Sequence, residues 1–342
     1  MDYSKQKVAV LLFNLGGPDS IKAIRPFLFN LFNDKYILRI SQPFRFLLAK
    51  IISTFRHAKA AEIYALIGNK SPINEETFAQ ATKLEEYLTK TEKKTYKVFV
   101  AMKNWHPFFP EALKKIKKYN PEEVVLLPLY PQYSTTTTLS FLDDYAKRIP
   151  YKTSIKCCYH SNKKYCNAIT IQIKNMYIEA LKIHKIDPIV IFSAHSLPVK
   201  IIKDGDPYQW QIEQSVKHIV NNLEKNFPRL KWIISYQSKI GPVEWLRPNT
   251  EEIIKEKSKA GEALVVVPIS FVSEHSETLV ELDIEYKALA KKYFRVPTLS
   301  INDLFIESLA DIATNKDTQY CCPKKYKQCW KQNKLCKHFD HN

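Results

Sequence analysis

No run of about 18 uninterrupted apolar residues occurs in the sequence, so no transmembrane helix is expected and any membrane contact would be peripheral. Neither a secretory signal nor a transit peptide is evident: Met1 to Lys7 carries Asp2 and leads into a short apolar strand, and a cytoplasmic protein is expected. Acidic residues are in short supply. The 35 Asp and Glu against 52 Lys and Arg leave a formal net charge of +17, which favours nucleic acid, anionic lipid or a carboxylate-bearing substrate. The basic residues are scattered, with neither zinc-finger spacing nor an RRM-like aromatic signature, so nucleic acid is not the expected partner. Seven cysteines in a cytoplasmic chain are not expected to form structural disulfides.

What is present describes a folded α/β protein. The 342 residues are 45% hydrophobic and 12% aromatic, enough for one large domain or two moderate ones with substantial cores. Short apolar runs, each followed by a helical-looking segment, give the pattern of a parallel sheet covered by helices. The clearest are Val8 to Phe13, Tyr96 to Ala101, Glu123 to Leu127, Ile189 to Ser193, Trp232 to Tyr236 and Ala263 to Val267. They fall into two sets with matching exits. Val8 to Phe13 leads to Asn14-Leu15-Gly16-Gly17-Pro18, and Ile189 to Ser193 leads to Ala194-His195-Ser196-Leu197-Pro198. Glu123 to Leu127 and Ala263 to Val267 both run into proline and then a Ser/Thr-rich turn.

Two similar Rossmann-like, doubly wound halves follow: residues 1–180, with an insertion at about 20–90, and residues 181–313, before a cysteine-rich basic tail at 314–342. In open parallel sheets ligands bind beyond the carboxyl ends of the strands, so these loops should face one cleft between the halves.

Chemistry is expected at those loops. His195 directly follows a buried strand, where an imidazole can take a proton at neutral pH or bind a metal, or merely tie a loop together. The matching exit of the last strand reads Phe271-Val272-Ser273-Glu274-His275-Ser276-Glu277-Thr278-Leu279. Glu277, Glu281 and Glu285 are spaced by four, a carboxylate row leading away from the strand end whose drift a wider, π-type turn would reduce. Like charges at that spacing repel, so a cation path explains the row better than a solvated face does. In Tyr236 to Leu246, Trp245 could pack on a flat apolar ligand or fill the interface.

These residues resemble the ferrochelatases. Five separated motifs occur in order through Ala313: Leu15 to Pro18, Leu129-Tyr130-Pro131-Gln132-Tyr133-Ser134, Ser193 to Pro198 with Gly205-Asp206-Pro207-Tyr208, Tyr236 to Leu246, and Ser273 to Leu279. The resemblance implies a chelatase fold around a porphyrin cleft, and insertion of Fe²⁺ into protoporphyrin IX to form protohaem. It makes His195 the catalytic histidine and Glu277 the glutamate facing it across the macrocycle, brought in by a separate lobe. His195 would accept pyrrole protons, while Glu277, with His275 and the Glu281 and Glu285 row, would pass metal or protons. Leu15, Tyr130, Trp245 and Phe271 would line the cleft, and Arg56, Tyr64 and Ser71 match positions that hold the propionates. Lys103 and Asn104 depart from the Arg-Tyr pair of many relatives, which puts an accessory metal site there in question. Related chelatases for Co²⁺ or coproporphyrin, and a non-catalytic carrier of haem or iron, are the other readings, although a carrier needs no proton acceptor.

Within the insertion, Phe27 to Phe55 is rich in Phe, Leu and Ile, with Lys35, Arg39, Arg45, Lys50 and Arg56 interspersed. Such helices can lie in a lipid interface, or pack as ordinary core helices. A lip in lipid would deliver a poorly soluble porphyrin directly. Some ferrochelatases bind a 2Fe-2S cluster through three C-terminal cysteines and one internal one; the resemblance offers Cys158 with Cys322, Cys329 and Cys336, although the internal position of the animal enzymes is Thr135 here. A monomer and a homodimer are both open.

Overall fold

The computed structural model describes residues 6–239 and 241–315. Each apolar run becomes a parallel strand. In the first sheet β1 (Lys7–Asn14) is flanked by β2 (Thr95–Met102) and β3 (Glu123–Pro128), with β4 (Lys152–Ile155) outermost; the order is β2-β1-β3-β4. The second repeats it as β6-β5-β7-β8, from β5 (Ile189–His195), β6 (Lys231–Gln237), β7 (Leu264–Pro268) and β8 (Tyr293–Arg295). The short outer strands β4 and β8 mix polar and apolar residues and give no continuous run for sequence patterning to find.

Strand alternation divides the core. Val8, Val10 and Leu12 turn to one face of β1 and Ala9, Leu11 and Phe13 to the other. The first set shares a continuous core with Val190, Phe192 and Ala194 of β5. Between the sheets lie α3 (Ile73–Thr91), α6 (Lys163–His184), α8 (Tyr208–Leu223) and α10 (Asp303–Ala313), whose apolar faces complete that core. The helix α6, on the first-half side of the division at residue 180, packs against α8, α10, β7 and β8.

The insertion contains α1 (Ile24–Phe32) and α2 (Phe44–Ala65), which pack on each other, while α3 lies against β2 and α10. Thus the lip is α1 and α2, and α3 is the crossover helix of the half, the counterpart of α8. The remaining helices are α4 (Phe109–Tyr119), α5 (Ser140–Tyr145), α7 (Val199–Lys203) and α9 (Thr250–Lys259). The duplication extends to irregular backbone: π-helical segments follow both β3 (Thr135–Leu139) and β7 (Glu277–Tyr286). Register matches too. Pro128 pairs with Phe13 and Pro268 with Ser193, so Leu15 and His195 hold the same station two residues beyond.

Candidate active site

His195, the last residue of β5, is fixed through its backbone. Its N–H donates to Ser270 Oγ at 3.0 Å, and its carbonyl accepts from the Tyr208 hydroxyl at 3.0 Å. The ring Nδ1 lies 2.8 Å from Glu277 Oε2, and both side chains are about one-third exposed, at 34% and 27%. An ionised carboxylate only accepts, so Nδ1 carries the hydrogen, and in the neutral imidazole Nε2 keeps a lone pair. This corrects the expected arrangement. His195 and Glu277 do not oppose each other across a gap; they touch, and both belong to the second half, as its range of 181–313 implies, on β5 and on the π-helical segment after β7.

The contact sets the charges. Burial pushes the His195 pKa down, but the Glu277 carboxylate and its hydrogen bond outweigh that, and the net shift is upward. Burial opposes ionisation of Glu277, yet the His195 charge and hydrogen bond, with help from His275 and Ser238, hold it at about 2. Glu281 moves the other way: burial first, then the neighbouring Glu277, raise it against hydrogen bonds from Ser238, Tyr286 and Gln237. The two carboxylates therefore sit in opposite protonation tendencies, a division suited to passing ions or protons.

The expected carboxylate row is borne by a π-helix, which brings Glu277 and Glu281 onto one hydroxyl. Ser238 Oγ is 2.9 Å from Glu277 Oε2 and also bonds Glu281 Oε2, while the Ser238 N–H donates to Glu281 Oε1 at 3.0 Å. Ser238 adopts φ of 65°, a left-handed conformation unusual for serine. Gln237 Nε2 donates to Glu281 Oε2 at 3.1 Å, and the Tyr286 hydroxyl to Oε1 at 2.7 Å. Glu285, at the far end of the row, is exposed. Buried His275 donates from Nδ1 to the Ser273 carbonyl at 3.1 Å and packs on Phe271, ring centroids 4.4 Å apart; burial lowers its pKa.

The first half and its insertion reach the same place. Tyr64 of α2 is buried and bonds Ser276, one residue before Glu277, with its hydroxyl pushed up to about 12, chiefly by burial. Ser71 is buried under Gly17, where a Cβ would come within 2.5 Å of Ser71 Cβ, so this approach admits no side chain. Leu15, Tyr130, Trp245 and Phe271 are all half-buried. Tyr130 meets Phe13 edge-on at 6.5 Å, and the Trp245 indole N–H is buried with no partner among the described residues. Arg56 is exposed, over the ring of Phe32.

Sequence reasoning passed over Gln237, Ser238 and Tyr208 as functional residues, although each lies inside a quoted motif; only the fold shows what their hydroxyls and amide hold. Lys103 is only 10% exposed and is paired with Asp144 and, at 3.7 Å, with Asp34, so its ammonium already serves these acids. Thr135 donates from N and Oγ1 to buried Asp206. Of the suggested cluster ligands, Cys158 is buried beside Cys157, and Cys322, Cys329 and Cys336 lie outside the described residues.

Against known families, residues 7–317 match the one described as Ferrochelatase. The chain belongs to the ferrochelatase family. It is 54% identical to the ferrochelatase of Wolbachia sp. subsp. Drosophila simulans (strain wRi), over 90% of this chain and 99% of that one. With the ferrochelatase of Rickettsia bellii (strain OSU 85-389) it shares 46% identity over 96% of both chains. The protein is thus a metal-porphyrin lyase, a ferrochelatase of haem synthesis that inserts iron into a porphyrin. Among solved structures, the sirohydrochlorin chelatase SirB from Bacillus subtilis subspecies spizizenii superimposes with a TM-score of 0.51 at 11% identity, covering 92% of this chain and 100% of that one. At that identity the likeness speaks for the two-domain chelatase fold alone.

Proposed function

We propose that the porphyrin is protoporphyrin IX and that His195 is the base removing its pyrrole protons. The supporting observation is the 2.8 Å contact of His195 Nδ1 with Glu277, which fixes the tautomer and leaves Nε2 to accept a proton. Glu277 and Glu281, with His275 close by and Glu285 at the solvent end, pass Fe²⁺ inward or protons outward. Leu15, Tyr130, Trp245 and Phe271 press on the macrocycle, exposing nitrogen lone pairs, and Arg56, Tyr64 and Ser71 hold the propionates. A half-buried site that combines a base with a carboxylate kept ionised supports a catalyst over a carrier.

The test is incubation of the purified protein with protoporphyrin IX and Fe²⁺ or Zn²⁺, following the Soret and visible bands. His195→Ala should lose at least about 100-fold in turnover while still binding porphyrin. Undiminished turnover would remove the assignment.

The protein works in the cytoplasm as a peripheral membrane enzyme. No helix among the described residues is long and apolar enough to cross a membrane, but α2 exposes an apolar stripe to solvent. Cys158 with Cys322, Cys329 and Cys336 holds a 2Fe-2S cluster, a redox-active centre. In support, Asn315 bonds Lys156, so the chain leaving α10 starts beside the Cys157-Cys158 pair. Anaerobically purified protein should be coloured and contain iron and sulfide; a colourless, iron-free preparation would count against the cluster.

A further inference from the structure

Two fully buried glutamines, one on each crossover helix, reach out of their own half. Gln80 lies on α3 and Gln211 on α8, the matching helices of the duplication. Gln80 Nε2 donates to the Val272 carbonyl at 3.0 Å and to the Ser300 carbonyl at 3.1 Å, and its Oε1 accepts from Ser273 Oγ at 3.2 Å. Gln211 answers from the other side, where its Oε1 accepts from Tyr133 N at 2.7 Å. Each side chain thus grips the loop that runs, in the opposite half, from β7 or β3 into a π-helical segment.

Burying an amide is costly unless its donors and acceptor find partners. The buried residues further along α3, Ala81, Leu84 and Leu88, are apolar, so the amide at position 80 is there for what it binds.

The loop held by Gln80 carries His275. The Ser273 side chain is tied to Gln80, and the Ser273 carbonyl accepts from His275 Nδ1 at 3.1 Å. The Val272 carbonyl also accepts from Ser300 N at 2.8 Å, so the amide closes a knot of three residues just before the imidazole. Three residues earlier on the same face of α3, buried Thr77 accepts from Asn14 Nδ2 at 3.1 Å, and Asn14 Oδ1 accepts from the Leu15 N–H at 2.8 Å. One helix therefore braces Leu15 in the first half and the approach to His275 in the second.

We propose that Gln80 is a positioning residue for metal insertion: through Ser273 it fixes the place and tautomer of His275 relative to the Leu15 side of the cleft. The part of His275 in ion transfer rests on the function proposed for the site; the grip of Gln80 on His275 does not.

Gln80→Met keeps the volume and loses the amide. NMR of the full chain with isotope-labelled histidine, at alkaline pH, reads the ring directly. His275 should show one tautomer, with the hydrogen on Nδ1, in the wild type and a mixture of tautomers in Gln80→Met. The variant's kcat for metal insertion should fall at least about tenfold while KM for porphyrin stays within about twofold. Leu84→Ala, a cavity farther along the same helix, controls for lost stability and should keep both the tautomer and kcat. If Gln80→Met does not fold, Gln80→Asn, whose amide is one methylene short, is read in the same way. An unmoved His275 tautomer overturns the proposal, and so does a fall in kcat that Leu84→Ala reproduces. His275→Ala tests the underlying function separately: native turnover there would overturn that function, and with it the part of Gln80 in the reaction, while the tautomer result stands on its own.

Discussion

Asp206 shows how single residues hold the site in place. Its buried carboxylate accepts from Ser134 Oγ at 3.0 Å, from Thr135 N and Oγ1 at 2.7 Å each, and from Tyr208 N at 3.0 Å. It therefore ties the π-helical turn of the first half to the helix whose Tyr208 supports His195. Asp206→Ala leaves those donors buried and unpaired, and should cost about 3 kcal/mol in urea denaturation; an unchanged midpoint would show that they find other partners. Residues of this kind are legible in sequence as motif members only. Gly205-Asp206-Pro207-Tyr208 announces a loop at the cleft, but that Asp206 faces Thr135, 71 positions earlier in the chain, depends on the fold between them. His195 was legible because it ends a buried strand. Its contact with Glu277 was not, and opposing walls were expected, because strand order alone does not say that the chain after β7 turns back over β5.

At the scale of elements, the proposed function rests on the π-helix from Glu277 to Tyr286 and on the α2 helix. A four-residue spacing of glutamates on an α-helix drifts around the axis; the wider winding keeps Glu277 and Glu281 on the same serine. The spacing was visible in the sequence, and the repulsion within it argued for a purpose. In α2 the apolar residues outnumber what packing on α1 can bury: Phe44 is 68% and Phe55 82% exposed, with Leu47 and Ile51 on the same stripe. Lys50 and Arg56 flank it. That stripe suits the headgroup boundary of an anionic bilayer. A Phe44→Glu, Phe55→Glu variant should lose flotation with anionic liposomes while retaining metallation of detergent-dispersed porphyrin; undiminished flotation would place membrane contact elsewhere.

The described residues form a duplicated fold whose copies differ by the α1–α2 insertion of the first half and by the residue at one matched station. The repeat was legible because parallel strands buried on both faces read as unbroken apolar runs, and because their exits matched. Less legible was the shared interior: α3, α6, α8 and α10 lie between the sheets and bury apolar surface toward both, so a single cut at residue 180 does not separate their packing. At equivalent stations the first half offers the apolar Leu15 and the second offers His195. An apolar side chain and an imidazole thus derive from the same turn. On the proposed reading the chemistry lies on one copy, where the Glu277 carboxylate hydrogen-bonds the imidazole and raises its pKa.

That coupling is most directly tested by the pH dependence of kcat/KM for metal insertion in the wild type and in Glu277→Gln. His195 must be neutral at Nε2 to take a proton, so activity falls as pH drops through its pKa. In the wild type this limb should lie above the ordinary histidine value of 6.5, because the carboxylate outweighs burial. With glutamine the charge is gone and burial remains, so the limb should move to lower pH in a slower enzyme. A limb at the same pH in both proteins would contradict the account.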